Sequence, residues 1–214
     1  MIRNCSLEDI SDGRLYDIND MVKADCKDCE GCSACCCGMG NSIVLDPYDI
    51  YRLTTELNTT FEVLMSGAIE LNVVDGIVLP NLKMTGKDEK CYFLNEEGRC
   101  SIHSSRPGIC RLFPLGRYYE NDDFKYILQV NECKKKDRTK IKVKKWIDTQ
   151  NQVDNKRFIL DWHRYLKEMQ KKVAECKEDE VIKQISMSTL LRFYITPYDK
   201  KIDFYEQFYN RLSN

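Results

Sequence analysis

The chain changes its hydrophobic rhythm near residue 140. Before that point the apolar positions come in short runs broken by turn residues; after it they recur every three or four positions. Residues 1–25 read as a polar lead-in. "SIVL", Ser42–Leu45, reads as a short buried strand. In "DPYDIYRL" Asp46 is a good N-cap, Pro47 suits the first helical position, and Asp49 sits three after the cap. That predicts a helix from Pro47 to Leu57. Thr59 with Glu62 makes a capping-box pattern and predicts a second helix over Phe61–Ile69. "LNVVDGIVLP" sets two β-rich runs around Asp75-Gly76, a hairpin signal. "CYFLNEEGRCSIH" predicts a second hairpin, with Cys91 on one arm and Cys100 on the other. "GRYYENDDFKYILQV" predicts a third, turning at Asn121–Asp123.

Beyond Cys133, Phe158, Trp162, Tyr165 or Leu166, Met169 and Val173 mark one apolar helix face. Ile182, Ile185, Leu190 and Phe193 predict another helix. Thr196-Pro197-Tyr198-Asp199 repeats the cap logic of Asp46–Asp49, and Ile202, Tyr205, Phe208 or Tyr209 and Leu212 complete a last helix. There is no internal repeat and no low-complexity linker. The expected fold class is α+β: a small, irregular, metal-bound cysteine-rich core with short hairpins and helices, then a helical C-terminal part. The expected division is 1–140 for the cysteine-cluster metal-binding domain and 141–214 for a helical extension packed on it.

Composition narrows the function classes. A length of 214 residues with 43% hydrophobic content suits one cored domain or one domain with an appendage. The net charge of −1 offers no global field for nucleic acid. "KKKDRTKIKVKK", Lys134–Lys145, holds eight basic residues and one acid. Without the aromatic platform of single-strand binders it reads as a solvated face. The polar N-terminus has no apolar h-region, and no run is long enough to span a membrane. The expected location is therefore the cytosol, where thiols stay reduced.

That compartment makes the twelve cysteines conspicuous. Six of them, Cys26, Cys29, Cys32, Cys35, Cys36 and Cys37, fall within "ADCKDCEGCSACCCGMG". Disulfides suit neither the compartment nor the crowding, so thiolate–metal ligation is the better reading. Cys29, Cys32 and Cys35 follow C-x2-C-x2-C, which lets successive thiolates curl around one centre, as in ferredoxin-type iron–sulfur sites. Zinc also accepts C-x2-C pairs, usually in separate knuckles. Cys91, Cys100, Cys110 and Cys133 form a wider second set. Together these are enough for two four-thiolate sites, or for one site with structural thiols beside it. Arg106 and Arg111 flank Cys110 and could offset the charge of an anionic cluster, or pair with Asp49 or backbone carbonyls to hold the fold. His103, beside Cys100, reads as structural and His163 as a surface residue. Asp49 and Arg52 read as a surface ion pair. Cys5 and Cys176 stand apart as free or buried thiols. Radical-SAM spacing, G-x-G-x-x-G, the P-loop and GxSxG are all absent.

Cys29-x2-Cys32-x2-Cys35-Cys36 joins Asp49 and Arg52 in "PYDIYRL", then Cys91, Phe93, Leu94, Cys100, Ile102, His103, Arg106, Pro107, Cys110, Arg111, Phe113, Pro114 and Cys133. In these residues the sequence resembles the CxxCxxCC cysteine-cluster family, the YkgJ-like group, over roughly residues 26–135. The resemblance implies a zinc- or iron-chelating domain whose metal ligands are Cys29, Cys32, Cys35, Cys36, Cys91, Cys100, Cys110 and Cys133. Cys26 and Cys37 lie outside the pattern. One branch of the family is similar to flagellin lysine N-methylases. This implies a protein-lysine methyltransferase using S-adenosylmethionine on a flagellin-like protein. For such a cofactor the expected pocket walls are "GMG", Gly38–Gly40, and the stretch with Arg106 and Arg111. The chain is short for that enzyme. The expected cofactor is a [4Fe–4S] cluster, with zinc as the alternative. The competing functions are a non-catalytic module that carries electrons, meeting a redox partner, or handles metal, and a structural zinc domain that docks a partner through its helical tail.

Overall fold

The structure, a computed structural model, describes residues 6–27, 29–176 and 178–213; Cys5 lies outside them. It is mixed α and β. The first half carries α1 (Leu7–Ile10), β1 (Met21–Asp25), α2 (Pro47–Glu56), α3 (Phe61–Met65), β2 (Ile69–Val74) and β3 (Ile77–Leu82). There follow β4 (Met84–Thr85), β5 (Lys90–Cys91), α4 (Gly108–Leu112), β6 (Leu115–Glu120), β7 (Asp123–Leu128) and β8 (Thr139–Lys142). Helices α5 (Val143–Ile147), α6 (Gln152–Glu175), α7 (Asp179–Leu190) and α8 (Phe204–Ser213) complete the chain. Among the described residues no helix is long and apolar enough to cross a membrane.

The strands pair antiparallel two by two: β1 with β8, β2 with β3, β4 with β5 and β6 with β7. Two of these pairs are hairpins dictated by their turns. Asp75 and Gly76 both take positive φ, 49° and 87°, and so do Asn121 and Asp122, 51° and 58°. This is the two-residue geometry that matches strand twist. The expected strand at Ser42–Leu45 docks on β3 as an irregular third strand. Leu45 N donates to Pro80 O at 2.9 Å and Leu82 N to Ile43 O at 3.0 Å.

Several expectations need correction. The second helix stops at Met65, with Thr60 rather than Thr59 as its cap, because Ile69 is drawn into β2 opposite Leu82. The turn expected in "CYFLNEEGRCSIH" forms, with Leu94 bridging Cys100 and Ser101 N donating to Phe93 O at 2.8 Å, but Cys91 itself pairs backward with Met84 of β4 and not across to the Cys100 arm. The last helix starts at Phe204, not Pro197: Asp203 accepts from Tyr205 N at 2.8 Å and Glu206 N at 3.1 Å. Asp49 and Arg52 are not a surface pair. Asp49 is buried, and Arg52 Nη2 donates to Ser104 O at 2.6 Å. His163 is half-buried, its ring stacked on Tyr119 at 3.8 Å.

One hydrophobic cluster runs from Val22 to Phe208. Phe158 and Trp162 of α6, Phe193 and Tyr194 after α7, and Phe208 of α8 all lie in it. Tyr48 of α2 packs against Phe204 with ring centroids 4.9 Å apart, and the Tyr194 hydroxyl donates to Leu45 O at 3.0 Å. Residue 140 falls inside β8, which is paired to β1 near the N-terminus.

Candidate metal centre

The cysteine loop makes little regular structure of its own. Cys29 takes φ 58° and Gly31 φ 65°, so the chain curls tightly there. Ala34–Cys36 is a single 3₁₀ turn. The loop is tied down from outside. Gly38 N donates to Glu89 O at 3.0 Å and Cys37 bridges Lys90, next to Cys91. Arg99 Nη1 donates to Cys29 O at 3.0 Å, joining the loop to the turn that carries Cys100. Cys110 rides on α4. The first residue of that helix, Gly108, donates its N–H to Asp49 Oδ1 at 2.7 Å. The same carboxylate accepts from Asp46 N at 3.1 Å, while Asp46 accepts from Asp49 N at 2.8 Å. Asp49 thus closes the start of α2 and anchors the helix that bears Cys110.

These ties bring Cys29, Cys32, Cys35, Cys36, Cys91, Cys100 and Cys110 to the wall of one cavity of about 390 Å³. Arg99, His103, Arg106 and Glu132 share the lining with apolar residues such as Met39, Ile43 and Phe113. Seven of the eight expected ligand positions therefore meet; Cys133 does not line the cavity, although its neighbour Glu132 does. Cys26 is buried with its Sγ 3.5 Å from that of Cys29. Cys37 and Cys176 lie outside the lining. Every described cysteine is a free thiol. Among the described residues, no three Cys, His, Asp or Glu side chains close on a single point as ligands of one ion; they ring a hollow instead.

The two arginines expected beside Cys110 part company. Arg106 lines the cavity, its Nη1 2.5 Å from His103 Nε2. Arg111 is buried away from it and donates to Asp148 O at 2.7 Å and Ser104 O at 2.8 Å. Burial, then Arg52 and Arg106, pull the Arg111 pKa down to about 10. Arg99 escaped the sequence reading. Its only signal there was its place beside Cys100.

The sulfurs are crowded. Contact with Cys26 pulls the Cys29 thiol down, but contact with Cys35 and burial outweigh it and leave it at about 11. Contact with Cys29 lowers Cys35, while Cys36 and burial push it up to about 12. Cys110 is pushed well up by withdrawal from water and then by the Asp49 charge. Burial raises Cys91 and Cys100, with Arg106 and Arg99 drawing Cys100 part of the way back. Each ionised sulfur would repel the next. A metal cation in their midst reverses that balance by taking the place of the protons. The donor set therefore fits a thiolate-bound metal group.

Thiols from separate stretches of chain around one hollow define a cysteine-cluster chelating domain. Residues 28–134 match the CxxCxxCC family model, described as "Putative zinc- or iron-chelating domain", and the chain belongs to that family. No curated protein and no solved structure gives a match.

Proposed function

We propose that the cavity holds an iron–sulfur cluster of the [4Fe–4S] kind. The observation that carries this reading is the convergence of seven thiols on one hollow of about 390 Å³, a space far larger than one ion needs. A four-iron cube presents several corners to a loop wrapped around it, and the C-x2-C-x2-C run supplies such a loop. Cys29, Cys32, Cys35, Cys36, Cys91, Cys100 and Cys110 are the residues available to hold it. Bound there, the cluster would supply one-electron chemistry. Arg99 and Arg106 sit where they offset the negative charge of a thiolate-ligated cluster, which favours its reduced state. The apolar wall limits water around the sulfurs.

The activity we attach to this site is modification of a protein side chain: lysine N-methylation of a flagellin-like protein with S-adenosylmethionine. Its support is that one branch of the family this chain belongs to is similar to flagellin lysine N-methylases.

Anaerobic expression followed by iron, sulfide and zinc analysis of one sample tests the cluster. Brown protein with about four irons and four sulfides per chain is expected. Colourless protein with about one or two zinc ions per chain overturns the reading in favour of zinc. Transfer of label from S-adenosylmethionine to flagellin lysines tests the activity separately.

A further inference from the structure

Cys26 is left over by the ring of seven thiols. It lies outside the family-matched residues 28–134 and outside the lining of the thiol cavity. It is nevertheless buried, only 6% exposed, with its Sγ 3.5 Å from the Sγ of Cys29, which does line the cavity. Both are free thiols, so this is a hydrogen-bond contact between sulfurs.

The contact is fixed from both sides. Cys26 directly follows β1, whose last residue, Asp25, pairs with Thr139 of β8. The Asp25 carboxylate accepts from Thr139 Oγ1 at 3.0 Å and from Lys27 N at 2.9 Å, so one side chain ties the backbone around Cys26 to the β1–β8 ribbon. Lys27 turns at φ 55° and Glu30 N donates to Lys27 O at 3.0 Å, which folds Cys29 back toward Cys26. On the far side Arg99 Nη1 holds Cys29 O at 3.0 Å.

A thiolate that binds metal has lost its proton and can only accept a hydrogen bond. Once Cys29 is a ligand, the proton left in the contact is that of Cys26. Cys26 does not border the hollow, and the thiols that do already outnumber the four that a [4Fe–4S] cube takes. A hydrogen bond to a ligand sulfur fixes its direction and disperses its charge. We propose that Cys26 holds no metal itself and is a positioning residue, donating its S–H to the Cys29 sulfur and keeping that ligand in place. The proposal rests on Cys29 being a metal ligand, but not on whether iron or zinc is bound.

Variants of the full, metal-loaded chain separate a donor from a filler. Cys26→Ser keeps a donor, whereas Cys26→Val keeps apolar bulk and removes the donor. Both should carry the parent's metal content per chain. The chelator concentration that strips half of the metal should fall at least about tenfold in Cys26→Val, the usual effect of losing the partner of a metal ligand. Cys26→Ala should behave like Cys26→Val, and Cys26→Ser should stay close to the parent. If iron is present, the midpoint potential should also fall in Cys26→Val and return toward the parent's in Cys26→Ser, because the hydrogen bond favours the more negative, reduced cluster. A Cys26→Val protein that retains metal as well as the parent overturns the proposal. So does Cys26→Ser falling as far as Cys26→Val. A lowered metal content in all three variants overturns it too, since Cys26 would then be a ligand. Full metal content and retention in Cys29→Ser would overturn the reading beneath it, that Cys29 is a ligand.

Discussion

Cys110 and Cys176 are both half-buried thiols, yet their neighbours differ. Cys110 feels Asp49, Cys91, Cys35 and Cys100, whereas Cys176 caps the end of α6 and its Sγ lies 3.8 Å from Glu178 O. Cys110→Ser should therefore lose most of the bound metal, and Cys176→Ser should keep it, as read by elemental analysis of purified protein. The crowding of the thiols also sets a pH response. Cys29 at about 11 and Cys35 at about 12 hold their protons well above neutrality without metal. Metal uptake must displace those protons, so uptake weakens as pH falls. Competition with a chelator across pH 6 to 9 should show retention rising with pH; a flat profile would show that thiolates are not the ligands. The residue types for such chemistry were plain in the C-x2-C-x2-C run. Arg99 was not, because its value lies in reaching Cys29 O, 70 positions away.

At the scale of elements, the start of α2 is the most informative. Its capping box, Asp46 with Asp49, was legible because a cap is written within four residues. The bond from Gly108 N to Asp49 was not legible, since it spans 59 positions. Asp49→Ala orphans two N–H groups, those of Gly108 and Asp46, and should lower stability by about 2–4 kcal/mol in chemical denaturation. Asp46 is held at about 8, chiefly by withdrawal from water and then by the neighbouring Asp49 charge. The folded state therefore keeps this proton after the unfolded chain, with its ordinary carboxyl near 3.8, has released it. The stabilisation is complete below pH 3.8 and fades as pH rises through about 8. Asp46→Asn preserves a good cap and should flatten that decline, measured as unfolding free energy against pH. The hairpins at Asp75-Gly76 and Asn121-Asp122 were equally legible, each set by two positive-φ residues. The Cys91 strand was misassigned because its partner, Met84, precedes it while the local pattern pointed forward to Cys100.

For the molecule as a whole, the continuous cluster from Val22 to Phe208 couples the helical part to the cysteine-bearing part. Phe208 is fully buried, and Phe208→Ala should cost about 3–5 kcal/mol. Denaturation followed by tryptophan fluorescence and by thiol accessibility should give coincident transitions, because β8 and the Tyr194–Leu45 contact straddle residue 140. Two separated transitions would instead show two independent folding units.

Taken alone, the sequence determined the parts: hairpin turns, helix caps, apolar helix faces and a supply of thiols suited to metal. Each rests on steric and hydrogen-bonding preferences among near neighbours, so the chain order suffices to show it. The tertiary structure decided which thiols share a hollow, that Cys133 stands off from it, and that Arg106 and Arg111 face different cavities. Those outcomes depend on contacts between segments tens of residues apart, and such contacts are selected by the packing of the whole core, which no short window of sequence contains.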